Sequence, residues 1–466
     1  MGLEMKQEAG IIGILILILL IIFLILNSLS PLLYWDENVY LGNARSHIGD
    51  SNFTEDFRFP LIEYIIAGAW FFTGESIFIA RLIVILFTLA TVFLLYLISK
   101  EYFSKLHSLF LCLMFSFSPL ILVWSFRVYT DILAMFFVTL AFYFLLTKST
   151  PSESAFAIAL AGAASAIAFL ARFSLVLFPI SVIIYLIIKK DTKPLLIFVL
   201  LFIITLTPWL CYNQMTYGNP IWDLQEQHRV VAEWTYPEPI MKQIQNLFVF
   251  TNVLIPLLLI FGIYAMRKNN GLNYLILIYV LISLICYLFF VNLKDARYYL
   301  SFLPFIYIVS FRGLLWFNST TKNKNNKNKN KIFKRAFTIL CVTLVISGLF
   351  VFYQTGAFFS NENHCEVNHS ITQAVNYLED KTGDEDLILS NIWVYFGYSL
   401  NVEVYCLWDK DIDKLIDFYN PSYIVYDNLR GTEYKKETLD SCERLVLEKE
   451  FTNGCGETVY VYKVIS

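Results

Sequence analysis

The sequence predicts a mainly α-helical, polytopic membrane bundle of about eleven transmembrane helices, with a small C-terminal α/β domain on the extracytoplasmic side. Three observations predict it. Of the 466 residues, 57% are hydrophobic and 16% charged, with a mean hydropathy of +0.59; soluble domains run nearer a half and a quarter. Several apolar runs reach the roughly 20 residues that cross a bilayer. After Phe359 the composition shifts to short β-rich runs alternating with helical stretches. A net charge of −3 gives no reason to expect a nucleic acid as a partner.

Read in a window of about 19 residues, the spans fall near 11–29, 77–98, 106–123, 131–147, 155–171, 173–188, 194–213, 244–265, 272–292, 298–317 and 336–358. The run Ile11 to Leu29 exceeds the roughly 7–15 apolar residues of a signal peptide, so it reads as an uncleaved first helix. Pro60 to Phe72 is too short to span and reads as re-entrant or interfacial. With the N-terminus in the cytoplasm, Lys100, Lys105, Lys148, Lys189, Lys190, Lys193, Arg267, Lys268 and the run Lys322 to Arg335 all fall on the inner side. The expectation is therefore a multi-pass protein of the plasma membrane whose C-terminal domain lies outside.

Two modules follow. Residues 1–359 form the membrane module, with an Asn/Lys-rich cytoplasmic linker over 318–335 that cannot pack a core. Residues 360–466 form the soluble domain, with a helix at Ile371–Leu378 and strands at Leu387–Leu389, Val402–Leu407, Tyr423–Tyr426 and Val459–Val464. Cys365, Cys406, Cys442 and Cys455 lie in this domain, where oxidising conditions would allow three pairings. The remaining four cysteines sit within spans as apolar packing.

The polar residues that stand out are on the outward ends. Asp36 and Glu37 follow the first span. A carboxylate near the membrane surface can act as a general base; the plainer alternative is a helix start with acids in its first turn. Arg81 opens the second span, and Arg127, Tyr129, Thr130 and Asp131 occupy a short loop. Arg172 sits in a tight turn, and Lys294, Asp295, Arg297 and Tyr298 precede the tenth span. Singly such groups are snorkelling anchors. Together they place acids and arginines on one side, which suits an anionic headgroup, because arginine grips phosphate oxygens in pairs. The loop 214–243 reads either as a cover over an acceptor or as an interfacial helix.

The order of short motifs resembles the GT-C membrane glycosyltransferases that use polyprenyl-phosphate sugars, in particular the protein O-mannosyltransferases and the lipid A aminoarabinose transferases. The matching stretches are Asp36-Glu37 with Tyr40, Phe57-Arg58-Phe59-Pro60-Leu61, Gly74-Glu75-Ser76, Ala80-Arg81-Leu82, Phe117-Ser118-Pro119, Tyr129-Thr130-Asp131 and Ala296-Arg297-Tyr298-Tyr299-Leu300. The resemblance implies that Asp36 is the catalytic base, with Glu37 beside it. It implies that Arg58 and Arg297 contact the donor phosphate, and that Asp131 braces the first loop, with Arg81 and Tyr298 supporting the site. Phe59 stands where the family often has a first proline, and the C-terminal domain matches no member.

The implied reaction is transfer of a hexose or pentose from a polyprenyl (dolichyl-type) monophosphate to a protein, lipid or glycan acceptor, inverting at the anomeric carbon. No cofactor is expected, and no catalytic metal, because the first loop lacks the Asp-x-Asp triplet of relatives that transfer oligosaccharides to asparagine. Asp411-Ile412-Asp413 has that spacing but reads as a helix N-terminus in the soluble domain. The competing readings are a transporter or flippase for a lipid-linked or small polar substrate, and a non-catalytic subunit of a glycan-assembly complex. Against the first, mid-span charge is scarce and there is no internal repeat.

Overall fold

The computed structural model describes residues 2–30, 33–49, 53–146, 151–234, 237–267, 271–321, 339, 342–353, 369–383, 385–400, 402–407, 411–428, 436–454 and 456–465. In chain order the helices are α1 (Gly2–Ser28), α2 (Trp35–His47), α3 (Leu61–Thr73), α4 (Ile77–Lys100), α5 (Lys105–Ser116), α6 (Pro119–Trp124) and α7 (Thr130–Leu146). They continue with α8 (Pro151–Ala171), α9 (Leu177–Lys189), α10 (Thr192–Tyr217), α11 (Trp222–Trp234), α12 (Ile240–Phe250), α13 (Leu254–Met266), α14 (Leu272–Phe289) and α15 (Leu303–Thr321). After α16 (Val342–Tyr353) come α17 (His369–Glu379), α18 (Trp393–Ser399), α19 (Ile412–Tyr419) and α20 (Lys436–Asp440). The strands are β1 (Leu387–Ser390), β2 (Glu403–Cys406), β3 (Tyr423–Asp427), β4 (Leu445–Thr452) and β5 (Thr458–Val464). The chain folds as two compact units, one of Met1–Leu26, Phe57–Leu61 and Leu82–Ala357, the other of Asn27–Asp56, Ile62–Arg81 and Phe358–Ser466.

The first unit is the multi-pass membrane bundle. Among the described residues, Gly10–Ser28, Ile77–Lys100, Ser154–Ala171, Thr192–Tyr217, Leu272–Phe289 and Ala296–Phe317 are long and apolar enough to cross a bilayer. Shorter apolar helices of 10–17 residues are α3, α5, α7, Phe173–Lys189 and α16. Two expected spans are broken. The span at 106–123 divides into α5 and α6 at Ser118-Pro119, where Ser118 Oγ accepts from Ile121 N (3.4 Å) and Pro119 opens the new helix, the usual N-cap and N1 chemistry. The span at 244–265 is a pair, α12 and α13, bent by 95°. At that bend Asn252 takes a left-handed φ of 82°, and its side chain bonds Leu344 O (2.6 Å) and Ser347 Oγ (3.0 Å) on α16. Those bonds satisfy an amide that would otherwise be costly in apolar surroundings.

Backbones within the bundle approach closely where glycine allows it. A Cβ built on Gly262 of α13 would lie 1.9 Å from Val309 O, and one on Gly313 of α15 would lie 2.2 Å from Leu258 O. Such small-residue contacts hold membrane helices together where lipid supplies no hydrophobic drive. Most of the 318–335 linker lies outside the described residues, as do Cys341, Cys365 and Cys455; Cys406 and Cys442 are free thiols.

The second unit is built on a five-stranded mixed sheet of order β2-β1-β3-β5-β4, with β1 parallel to β2 and β3, and β5 antiparallel to β3 and β4. Side chains alternate across it, as strand geometry requires. Ile388, Tyr423, Val425, Val459 and Val461 face one layer of helices; Leu389, Ile424, Tyr426 and Tyr462 face α19 and α20 on the other. The first layer contains α17 and α18, and also Val39 of α2 and Phe53 of the segment after it. Phe53, 2% exposed, lies between two glycines: a Cβ on Gly42 would approach its ring to 2.6 Å, and one on Gly397 to 2.1 Å. Burying that ring contributes about 1.5–3 kcal/mol. The segment that follows the first span is thus a layer of the C-terminal domain rather than a free loop.

Candidate active site

Tyr34 caps α2, so Asp36 and Glu37 fall in its first turn, where carboxylates are favoured by the helix dipole. The two acids have different fates. Glu37 is fully buried and locked: its Oε2 accepts from Tyr34 N (3.1 Å), and its two oxygens meet Arg81 Nε at 3.2 Å and Nη2 at 3.4 Å. Arg81, itself 2% exposed, also donates to Ser30 O and to Asn27 Oδ1 (3.4 Å). Arg81 therefore ties the end of the first span and the start of α2 to its own helix. Asp36 is 9% exposed.

Residues 36, 43 and 47 share one face of α2, since seven and eleven residues are close to whole turns. On that face Asn43 is 4% exposed. Its amide donates to Glu55 O (3.2 Å) and Glu63 Oε1 (2.9 Å), and its oxygen accepts from Glu55 N (2.8 Å). His47 Nε2 lies 3.5 Å from Glu63 Oε2, and its ring stacks on Tyr64 at 4.4 Å. Trp393 of α18 donates to Glu55 Oε1 (3.1 Å). Asn43, His47 and Glu63 escaped the sequence reading; helical spacing from Asp36 was the one signal that could have found the first two.

The other candidates lie in the first unit. Asp131, 1% exposed, opens α7 and meets Arg172 Nη1 at 2.5 Å. The Arg172 guanidinium rests 5.1 Å from the centre of the Tyr298 ring, and Tyr298 stacks on Tyr287 at 5.4 Å. Arg297 pairs with Asp295 (3.0 Å) and lies 5.1 Å above Tyr129. Tyr129 meets Trp124 edge to face at 4.7 Å, and Arg127 lies 5.3 Å from Trp124. Arg172 and Arg297 are close enough to repel one another. The structure thus gathers Asp131, Arg172, Tyr298, Asp295, Arg297 and Tyr129 into one arginine–aromatic array. Asp131 forms an ion pair with Arg172, and within the second unit Arg81 holds the start of α2 through Glu37.

Arg58 is half-buried, 5.3 Å from the centre of the Phe57 ring. Phe59, in place of the family's proline, is 3% exposed and stacks on Trp209 at 5.4 Å, with the edge of Phe169 at 5.7 Å. Trp209 is fixed by its bond to Asp223 Oδ2 (2.9 Å). An aromatic cage therefore holds the backbone beside Arg58, the job a rigid proline would do. Lys294 plays a different part from its outward neighbours: its ammonium bonds the carbonyls of Leu288 (3.0 Å) and Val291 at the end of α14, which caps the negative pole of that helix. Asp411 is an N-cap, accepting from Lys414 N (3.2 Å).

Comparison with known proteins agrees with the resemblance. Residues 58–212 match the family model described as dolichyl-phosphate-mannose-protein mannosyltransferase. No curated protein sequence matches the chain significantly. Among solved structures, ArnT from Cupriavidus metallidurans in the apo state is similar with a TM-score of 0.73 at 12% identity, over 98% of both chains. The same protein bound to undecaprenyl phosphate gives 0.71 at 12%, over 97% of this chain and 98% of that one. The apo oligosaccharyltransferase of Archaeoglobus fulgidus gives 0.60 at 11%, over 89% of this chain and 69% of that one. At such identities the likeness is one of fold. The chain accordingly has the GT-C fold of membrane glycosyltransferases, and a third of it matches a mannosyltransferase family model within that group.

Proposed function

We propose that the protein is an inverting glycosyltransferase that moves one hexose or pentose from a polyprenyl monophosphate to an acceptor at the extracytoplasmic face of the plasma membrane. The observation that carries this reading is the fold likeness, over nearly the whole chain, to an ArnT whose structure holds undecaprenyl phosphate. The chemistry of the residues supports it. Asp36 takes the proton from an acceptor hydroxyl as its oxygen bonds to the anomeric carbon. The bond from that carbon to the phosphate oxygen breaks on the opposite side, and polyprenyl phosphate leaves with the electron pair. Arg58 and Arg297 stabilise the charge that grows on the phosphate. Glu37 and Arg81 act as positioning residues for α2, and Asp131 and Tyr298 as positioning residues for Arg172. The N-terminus is cytoplasmic and the C-terminal domain extracytoplasmic. Transfer needs no metal.

The test is a detergent assay with a radiolabelled polyprenyl-phosphate sugar and membrane acceptors, run with EDTA present. The wild type transfers label and Asp36→Asn loses transfer by a factor on the order of 10³ while remaining folded; Arg58→Ala weakens donor use. Full transfer by Asp36→Asn would end the base assignment. Substrate uptake into proteoliposomes with no glycosidic product would replace the reading with a transporter.

A further inference from the structure

The second unit contains a cavity that the donor chemistry does not use. Its volume is about 410 Å³, within the roughly 300–1,000 Å³ of small-molecule sites. One wall is α2, through Asn38 and Arg45; another is α17, through Thr372 and Asn376; the floor is Tyr395 and Tyr398 of α18. Both tyrosines are 8% exposed, and Asn38 is 2% exposed. Tyr395 is held by the edge of Trp35 at 5.9 Å, and Trp35 by Trp393 at 4.9 Å. The pocket therefore has a rigid aromatic floor and mixed walls, polar at Thr372, Asn376 and Ser399 and apolar at Leu33, Ile371 and Val375.

Charge narrows the ligand. Arg45 is the cation of the lining, and Glu75 Oε2 lies 3.1 Å from its Nε while Tyr398 O accepts from its Nη1 at 2.6 Å. Glu75 also accepts from the Tyr398 hydroxyl, and burial together with Glu75 pushes that phenol above its ordinary value, so it stays protonated. Glu379 adds a second carboxylate to the rim. With Arg45 already neutralised, a phosphate or carboxylate ligand would meet net negative charge, unlike the arginine-rich array of the first unit. The apolar part of the lining is Leu33, Ile371 and Val375; no strand of the sheet lines the cavity, so there is no edge for a peptide to extend. A sugar ring matches it: an apolar C–H face for the tyrosine rings and the aliphatic wall, and hydroxyls for Thr372 and Asn376, while Asn38 is held by its bond to Tyr34 O (2.9 Å).

Resting on the proposed transfer reaction, we propose that this cavity anchors a neutral saccharide unit of the acceptor, which is therefore a glycan of at least two units. Asn38 is two residues beyond Asp36, and such positions lie on different faces of a helix. The anchored unit is consequently not the one whose hydroxyl reacts but one further along the acceptor chain. The C-terminal domain acquires a purpose on this account: it carries both the acceptor pocket and, through α2, the base.

The test is native mass spectrometry of the full chain in detergent with a probe pool of neutral oligosaccharides released from the host's own surface glycans. Wild-type protein should retain saccharide adducts without any donor. Thr372→Trp, a change at an exposed position of α17 that fills the cavity, should lower retention at least about tenfold, which is about 1.4 kcal/mol, with an unchanged melting curve. Asn376→Ala should weaken retention about fivefold, the worth of one hydrogen bond. Equal retention by Thr372→Trp, no adducts at all, or retention of a Ser/Thr peptide library in place of the oligosaccharides would each overturn the proposal. Because the measurement needs no donor, its failure is distinct from failure of the transfer reading, which shows instead as an Asp36→Asn variant that transfers normally.

Discussion

Replacing Arg81 with methionine leaves the Glu37 carboxylate, which has no exposure to water, without its cation. Removing one partner of such a pair costs about 3–5 kcal/mol. The bond from Tyr34 N survives, and the first-turn position still favours negative charge by roughly 0.3–1 kcal/mol. The lower figure, about 3 kcal/mol, is therefore expected. The loss falls on the junction of Asn27, Ser30 and α2 that Arg81 holds. Hydrogen–deuterium exchange in nanodiscs reads it directly: α2 amides should exchange on the order of 100-fold faster. The turn carrying Asp36 loosens at the same time, and a misplacement of about 1 Å can cost about 10²-fold in rate. Transfer should fall by that order in kcat, with the KM for donor little changed. The double variant Glu37→Leu/Arg81→Met removes both buried charges and should regain about 2 kcal/mol of the loss. If α2 exchanges as in wild type in Arg81→Met, or if the double variant is as unstable as Arg81→Met alone, the pair does not hold α2 and the argument fails.

The same reasoning applies to Arg172→Leu, which removes the ion-pair partner Arg172 from an Asp131 that is 1% exposed. A loss of about 3–5 kcal/mol and a raised KM for donor are expected, with Asp131→Asn in the same background restoring part of the melting temperature. Gly397→Ala pushes a methyl into the Phe53 ring and should cost about 1–3 kcal/mol in a thermal melt; Phe53→Leu beside it should recover some of that. Burial, with Glu55 nearby, pushes the Cys406 thiol up from 9.0 to about 12. Its thiolate fraction at pH 8 is then about 10³-fold below that of an ordinary thiol, and maleimide labelling should slow accordingly. The unfolded chain releases this proton at lower pH than the fold does. Stability from this group is therefore complete below about pH 9 and falls as pH rises toward about 12.

What the sequence made legible is what the bilayer and the sheet impose over short distances. A run such as Ile11 to Leu29 declares itself because a membrane needs about 20 apolar residues, and β3 shows as a short apolar run, Tyr423–Tyr426, buried on both faces. β4 was not anticipated because Glu448, Lys449 and Glu450 interrupt it; charge of that kind protects an edge strand, which the sheet order shows it to be. The bend at Asn252 is invisible to hydropathy, since both flanking helices are apolar and the bonds that secure the turn come from α16, some ninety residues away. The adjacent acids could not be told apart as letters. The position of Arg81 on α4 makes Glu37 a structural anchor, a distinction the letters alone do not carry. Least legible was the allegiance of α2, because Val39 and Phe53 reach a core made by residues more than three hundred positions later.

That allegiance, taken with charge, argues for two separate chemistries in one chain. In the first unit the candidate array gathers arginines on aromatic faces, with Arg172 and Arg297 near enough to repel. Asp131 and Asp295 offset part of that repulsion, and a lipid phosphate is an anion that the remaining guanidinium donors suit. In the second unit Arg81 is paired with the buried Glu37, and Arg45 with Glu75. A neutralised, tyrosine-floored surface has little to offer a phosphate and much to offer a sugar. A transporter of one lipid-linked substrate would have no need of the second surface. An enzyme that joins an anionic donor to a neutral acceptor, as proposed above, would use both.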